Sequence, residues 1–258
     1  MSKKDWNPEL YLKFDKERIQ PSIDLVSRIN ALQVSKIIDI GCGPGNSTQI
    51  LAQRWPDSKI TGIDNSKAMI DKAVNDYPDQ EWRLLDAGKD IISGKYDLVF
   101  SNATIQWIPN HFELLVKFKK ILSNGGQLAV QLPLFFDMPI GQSIKRISKN
   151  PEWSTVTEKV NDLFTIHRTS DYYDFLSELF GNFELWESNY IHVMDSHHSI
   201  LEMIRSTGLR PYLDKLDNDE NKTDFEEQVL TDIKNDYPLQ KDGKVLFPFK
   251  RLFFIAKK

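Results

Sequence analysis

Three glycines and two acids carry the clearest chemical signal in this sequence. Gly41, Gly43 and Gly45 alternate through Ile37-Ile38-Asp39-Ile40-Gly41-Cys42-Gly43-Pro44-Gly45-Asn46-Ser47. An apolar run enters this turn and a helical pattern leaves it. Glycines in that setting bring main-chain N–H groups close to a ligand. Asp64 ends the next apolar run about twenty residues on, where a carboxylate can accept hydrogen bonds from ribose hydroxyls. A tight strand–helix turn without a ligand is the plain alternative, but three glycines around a proline would then cost backbone entropy for no structural gain.

The acid at Asp39 narrows the choice of ligand. A carboxylate directly before the turn sits poorly beside a pyrophosphate, and Asn46 stands where the dinucleotide pattern places its last glycine. A nucleoside cofactor with a cationic amino group and no phosphate suits the turn better, and S-adenosylmethionine has those properties. A dinucleotide-dependent oxidoreductase and a binding module without turnover remain as alternatives. Cys42, inside the turn, reads as a small packing residue.

Those residues need a scaffold. Lys36–Ile40, Lys59–Asp64, Glu81–Leu85, Tyr96–Ser101 and Gln127–Leu132 are short runs rich in Ile, Val and Leu. Unbroken apolar runs of this length suit parallel strands buried on both faces. Amphipathic stretches between them, Ser47–Gln53, Lys67–Asn75 and Phe112–Leu122, predict the crossover helices of βαβ units. After Leu132 the rhythm changes. Residues 137–180 and 198–236 read as helices, Phe183–Val193 as an alternating antiparallel strand, and Leu246–Ala256 as a final strand, with Pro248 suited to a sheet edge or entry point.

Composition bounds the rest. The 258 residues carry 33 Lys+Arg against 37 Asp+Glu, a net charge of −4, which argues against nucleic-acid binding. One cysteine leaves no disulfide and no cysteine-based zinc site, and His197-His198 lack the carboxylate spacing of metal ligands. The opening Met1-Ser2-Lys3-Lys4-Asp5-Trp6 does not look like a secretory signal, and no run reaches membrane-span length. The expectation is a cytoplasmic protein, with no membrane, no nucleic acid and no metal.

The order Asp39-x-Gly41-x-Gly43-x-Gly45, Asp64, Leu85-Asp86-Ala87, Asp97-Leu98-Val99-Phe100-Ser101-Asn102 and Gly125-Gly126 resembles the class I S-adenosylmethionine-dependent methyltransferases. Further stretches narrow the likeness to the trans-aconitate methyltransferase family. They are Trp6-Asn7-Pro8, Arg54-Trp55-Pro56, Gln106-Trp107, Tyr172-Tyr173-Asp174, Thr207-Gly208-Leu209-Arg210-Pro211, Tyr237-Pro238-Leu239-Gln240 and Arg251-Leu252-Phe253. One departure is Tyr190-Ile191-His192, where the family tends to show two adjacent tyrosines before the histidine.

The resemblance implies a Rossmann-like α/β fold: a seven-stranded, mostly parallel sheet with an antiparallel last strand, helices on both faces and a helical insertion over the carboxyl edge. It implies a single domain over 1–258, with a cap segment at 1–30 and substrate-side insertions at 133–182 and 194–243. It assigns the cofactor to Asp39, Gly41, Gly43, Gly45, Asp64, Asn65, Asp86, Ala87, Asn102 and Trp107. It assigns the acceptor to Trp6, Tyr11, Arg18, Gln106, Tyr173, His192, Arg205, Arg210 and Arg251, with no acid–base catalyst. The implied reaction forms a monomethyl ester on a small polycarboxylic acid, trans-aconitate first, in a monomer. Ile191 keeps another small metabolite open as acceptor. A carboxylate acceptor has a pKa near 4 and needs no base at pH 7. Catalysis is then mostly positioning and desolvation.

Overall fold

In a computed structural model, residues 15–31 and 33–258 are described. Helix α1 (Asp15–Ser27) precedes strand β1 (Lys36–Ile40), helix α2 (Asn46–Arg54), β2 (Lys59–Asp64), α3 (Lys67–Asp76), β3 (Glu81–Leu84) and β4 (Tyr96–Asn102). A 3-10 turn at Ile105–Trp107 leads to α4 (His111–Ile121) and β5 (Leu122–Pro133). Helices α5 (Pro139–Ile147), α6 (Ser154–Thr157) and α7 (Thr169–Leu179) follow, then β6 (Asn182–Met194). Helices α8 (His197–Arg205), α9 (Arg210–Leu213) and α10 (Asp219–Ile233) precede the closing strand β7 (Val245–Lys257).

One seven-stranded sheet has the order β3-β2-β1-β4-β5-β7-β6. The pairs β1–β2, β1–β4, β2–β3 and β4–β5 are parallel, and the last strands are antiparallel. The expected Rossmann-like sheet is therefore present. In β1 every residue after Lys36 is buried, the pattern of a strand covered on both faces. The chain runs outward from β1 to β3 and then returns to lay β4 on the other side of β1. That reversal opens a crevice at the carboxyl ends of the two strands.

The elements differ from the sequence reading in two places. Strand β5 starts directly at the end of α4, five residues earlier than expected. Tyr96 pairs with Leu122 and Leu98 with Gln127, so the ladder skips across Ser123–Gly126. Ser123 holds that excursion by donating to Asp97 Oδ1 at 2.6 Å. Strand β7 is interior and β6 takes the edge, so Pro248 sits near the start of an inner strand. Gly208 lies in the break between α8 and α9. A Cβ there would lie 2.5 Å from the Phe135 ring, so close packing explains the glycine.

The chain forms two compact units. The first holds the described residues up to Leu132, with His167–Glu187 and Leu252–Lys258. Helix α4 buries His111, Leu114, Leu115, Phe118 and Ile121 along one stripe, and α7 sets Phe175 against Phe112 with ring centroids 5.5 Å apart. The second unit holds Pro133–Ile166 and Ser188–Arg251. There Tyr212 stacks on both Phe164 and Phe225, and its hydroxyl donates to Asn161 Oδ1 at 2.8 Å.

Candidate functional site

Within the first unit, the ends of four adjacent strands carry every residue assigned above to the cofactor. Gly41, Gly43 and Gly45 follow β1, Asn65 follows β2, Asp86 and Ala87 follow β3, and Asn102 ends β4, with Trp107 in the turn beyond it. The turn after β1 is built by close approach. Gly41 N and Cys42 N both donate to the Ile63 carbonyl, at 2.7 and 3.0 Å. Gly41 has φ +72°, and a Cβ on it would lie 2.1 Å from Thr104 Cγ2. Backbone conformation and space both demand glycine there.

Asp39 is fully buried beneath the turn. Ser47 and Thr48, opening α2, donate to its Oδ2 at 2.6 and 2.7 Å. Oδ1 has no hydrogen-bond partner among the described residues. Burial pushes the carboxyl up to about 6, against the pull of those two hydroxyls, and nearby Asp64 adds to the rise. Burial also raises the Cys42 thiol well above its ordinary range.

Asp64 accepts from Gly43 N at 3.0 Å and from Ser66 N at 2.8 Å, tying the glycine turn to the start of α3. Asp86 accepts from Gly88 N at 2.9 Å and pairs with Lys89 at 3.1 Å. Desolvation would raise its carboxyl, but those partners hold it below its ordinary value. Asn65 is exposed, Ala87 is buried, and Trp107 is half-buried.

Asn102 Oδ1 and Gln106 Oε1 are also buried without a partner among the described residues, while Gln106 Nε2 donates to the Ala103 carbonyl at 2.7 Å. Three such acceptor oxygens, with Asp64 and Asp86 on the same edge of the sheet, make a donor-hungry surface. A buried acceptor without a donor is costly and calls for one. Ammonium, ribose hydroxyls, an adenine amino group and a sulfonium supply donors and positive charge; a pyrophosphate supplies neither. These residues fit S-adenosylmethionine.

The acceptor candidates separate. Trp6 and Tyr11 lie outside the described residues. So does the side chain of Arg18, whose backbone belongs to α1. Gln106 and Tyr173 belong to the first unit. Tyr173 is more than half exposed, its ring 5.5 Å from that of Phe183. His192, Arg205, Arg210 and Arg251 belong to the second. Arg205 pairs with Glu226 at 2.5 Å and Arg210 with Asp214 at 3.3 Å. Arg251 is only 5% exposed. Its guanidinium lies 4.4 Å from the Phe249 ring centroid and 5.9 Å from that of Tyr190. His192 adjoins Phe247 and Phe249. Ile191 is half exposed and, by strand alternation, faces away from His192.

Other positioning contacts escaped the sequence reading. His111, Tyr172 and Lys117 hold the turns after β4 and β3, with Lys117 Nζ donating to the Ala87 carbonyl at 2.8 Å. The signal for His111 was its place in the buried stripe of α4. A groove of about 560 Å³ between α5 and α10, lined by Arg146, Glu152, Asp224 and Asp232, contains none of the candidate residues. Among the described residues no helix is long and apolar enough to cross a membrane.

Comparison with known proteins gives the family. A family model described as a methyltransferase domain matches residues 38–130. Trans-aconitate 2-methyltransferase of Escherichia coli O157:H7 is 38% identical over 254 residues, 98% of each chain. The enzyme of the same name from Enterobacter sp. strain 638 is 37% identical over the same coverage. The fold matches the YcgJ protein of Bacillus subtilis with a TM-score of 0.64 at 12% identity, covering 93% of this chain and 98% of that one. It also matches an O-methyltransferase of Brevibacillus brevis in complex with S-adenosyl-L-homocysteine, with a TM-score of 0.53 at 16% identity, covering 96% of this chain and 75% of that one. With full-length relatives above 30% identity and this cofactor edge, the chain belongs to the trans-aconitate 2-methyltransferase family of S-adenosylmethionine-dependent methyltransferases.

Proposed function

We propose that the protein transfers a methyl group from S-adenosylmethionine to a carboxylate of trans-aconitate, forming a monomethyl ester. The observation that carries this reading is the 37–38% identity to trans-aconitate 2-methyltransferases over 98% of the chain. That match runs through the whole second unit, well beyond the methyltransferase domain at 38–130. The bound cofactor supplies a methyl on a sulfonium already activated for in-line displacement. Asp39 and the Gly41–Gly45 turn hold its amino-acid end, Asp64 its ribose and Asp86 its adenine. Asn65, Ala87, Asn102 and Trp107 complete the cradle.

The acceptor is a polyanion, so a chain of net charge −4 must offer it local cations. Arg251 is the best placed by its environment. Its guanidinium lies among aromatic rings, where a planar fork stays rigid and can take a carboxylate bidentately. His192 and Arg210 add donors, and Arg205, Gln106 and Tyr173 complete the proposed set. No base is needed, since the acceptor is already ionised at neutral pH. The same reading describes a monomeric cytoplasmic enzyme acting on a small molecule.

Initial rates with trans-aconitate, cis-aconitate, citrate and isocitrate test the proposal. A monomethyl ester should form, with trans-aconitate preferred. No ester from any of the four would overturn it.

A further inference from the structure

His111 opens α4 in the helix's apolar stripe and is 1% exposed. Its Nδ1 lies 2.6 Å from the Tyr172 hydroxyl and its Nε2 lies 2.8 Å from the Ile105 carbonyl. A carbonyl can only accept, so Nε2 carries the proton. Nδ1 is then a bare acceptor, and Tyr172 must donate to it. The direction of the whole chain is fixed: Tyr172 O–H to Nδ1, and Nε2–H to Ile105.

The Tyr172 end of this chain is firm. Tyr172 is fully buried on α7, its ring 6.0 Å from that of Phe254 and 6.1 Å from that of Phe175. The neighbouring titratable groups are His167, whose ring meets His111 edge-on at 5.2 Å, and Asp171, one residue before Tyr172. Burial drives the imidazole down to about 4 and the phenol up, so both stay neutral across the physiological range.

Ile105 begins the 3-10 turn that carries Gln106 and Trp107. Side chains tie the turn to its surroundings: Thr104 Oγ1 donates to the Gly41 carbonyl at 3.2 Å and Gln106 Nε2 to the Ala103 carbonyl at 2.7 Å. Its own bonds are Trp107 N to the Thr104 carbonyl at 3.0 Å and Ile108 N to the Ile105 carbonyl at 2.8 Å. It follows Ala103 at φ +53°, a left-handed conformation that an alanine keeps only when its surroundings enforce it. A short 3-10 turn has poorer hydrogen-bond geometry than an α-helix, and the His111 Nε2–H bond to the Ile105 carbonyl adds an anchor from α4.

We infer that His111 is a positioning residue for methyl transfer: the Tyr172–His111–Ile105 chain sets the turn that places Gln106 and Trp107 at the carboxyl end of β4. His111 touches neither cofactor nor acceptor in this scheme. The inference rests on the proposed methyl transfer in its kinetic arm only.

The test compares Tyr172→Phe, His111→Asn and His111→Gln in the full chain. Phenylalanine removes the donor to Nδ1. Asparagine is too short to reach the Ile105 carbonyl, whereas glutamine puts an amide N–H near the place of Nε2. Tyr172→Phe and His111→Asn should each lower kcat about tenfold, the cost of one buried hydrogen bond, and should also weaken binding of S-adenosylhomocysteine, since Trp107 belongs to the proposed cradle. His111→Gln should recover part of kcat, since it restores the bond to Ile105 and not the acceptor for Tyr172. The Trp107 indole N–H signal, assigned with Trp107→Phe, should move in the first two variants and stay near its wild-type position in the third. An unmoved signal in a folded His111→Asn, or equal losses in His111→Asn and His111→Gln, would overturn the inference. The indole signal decides it even if trans-aconitate proves to be no substrate.

Discussion

Thr48 donates its hydroxyl hydrogen to Asp39 Oδ2 at 2.7 Å, inside the fully buried base of the glycine turn. This bond and its twin from Ser47 orient the carboxylate so that Oδ1 is left without a partner among the described residues. An acid pushed up to about 6 by burial is therefore held ready for a cation.

The first prediction follows from that carboxylate. An ammonium group binds the ionised form, so affinity for S-adenosylhomocysteine should rise as pH rises through about 6. The slope should flatten in Asp39→Asn, which should bind more weakly throughout. Stability of the ligand-free protein runs the other way. A folded-state pKa raised above the ordinary 3.8 contributes stability at low pH that is lost as pH rises through 6. In thermal melts, the deficit of Asp39→Asn relative to wild type should be smaller at about pH 7.5 than at about pH 5.

Asp64, proposed to hold the ribose, accepts from Gly43 N and Ser66 N. Removing a charged hydrogen-bonding partner costs on the order of 1.5–3 kcal/mol. Calorimetry should show Asp64→Ala losing roughly ten- to a hundredfold in cofactor affinity. An unchanged affinity would remove Asp64 from the site.

Lys117 reaches from α4 to the Ala87 carbonyl at 2.8 Å and so steadies the turn proposed for the adenine. Lys117→Met keeps the stem and loses the donor. It should weaken cofactor binding by about three- to tenfold, with the acceptor KM unaltered. Equal effects on both ligands would point to general loosening of the fold.

Two arginines of the second unit should behave differently. Arg251 is buried among aromatic rings, whereas Arg205 is half exposed and paired with Glu226. Exposed pairs contribute little. Arg251→Gln should raise the acceptor KM at least about tenfold, more than Arg205→Ala does, and neither should change cofactor affinity much. The reverse ranking would move the acceptor's anchor away from Arg251.

The sheet and its ligand turn were legible because parallel strands and a glycine turn write themselves in contiguous residues. Ile37–Gly45, Ile60–Asp64 and Leu98–Asn102 show strand, turn and acid without reference to anything distant. Contacts far apart in sequence were not legible. Tyr172 and His111 are 61 residues apart, and Tyr172 in a Tyr-Tyr pair looks no different from its exposed neighbour Tyr173. Strand β5 was read short because glycines at 125 and 126 look like a turn, while the ladder simply skips past them. Arg251 is assigned to the acceptor by family resemblance alone, because its place after a lysine on the last strand suits outward exposure equally well. Alternation along one strand cannot report which rings β6 brings across it.

The most direct measurement supplies S-adenosylmethionine carrying a carbon-13 methyl, with trans-aconitate as acceptor, and follows the label by NMR. The account predicts one labelled methoxy signal, on a carboxylate of trans-aconitate, growing with S-adenosylhomocysteine in equal amount. Cofactor that binds tightly while no labelled ester appears would contradict it.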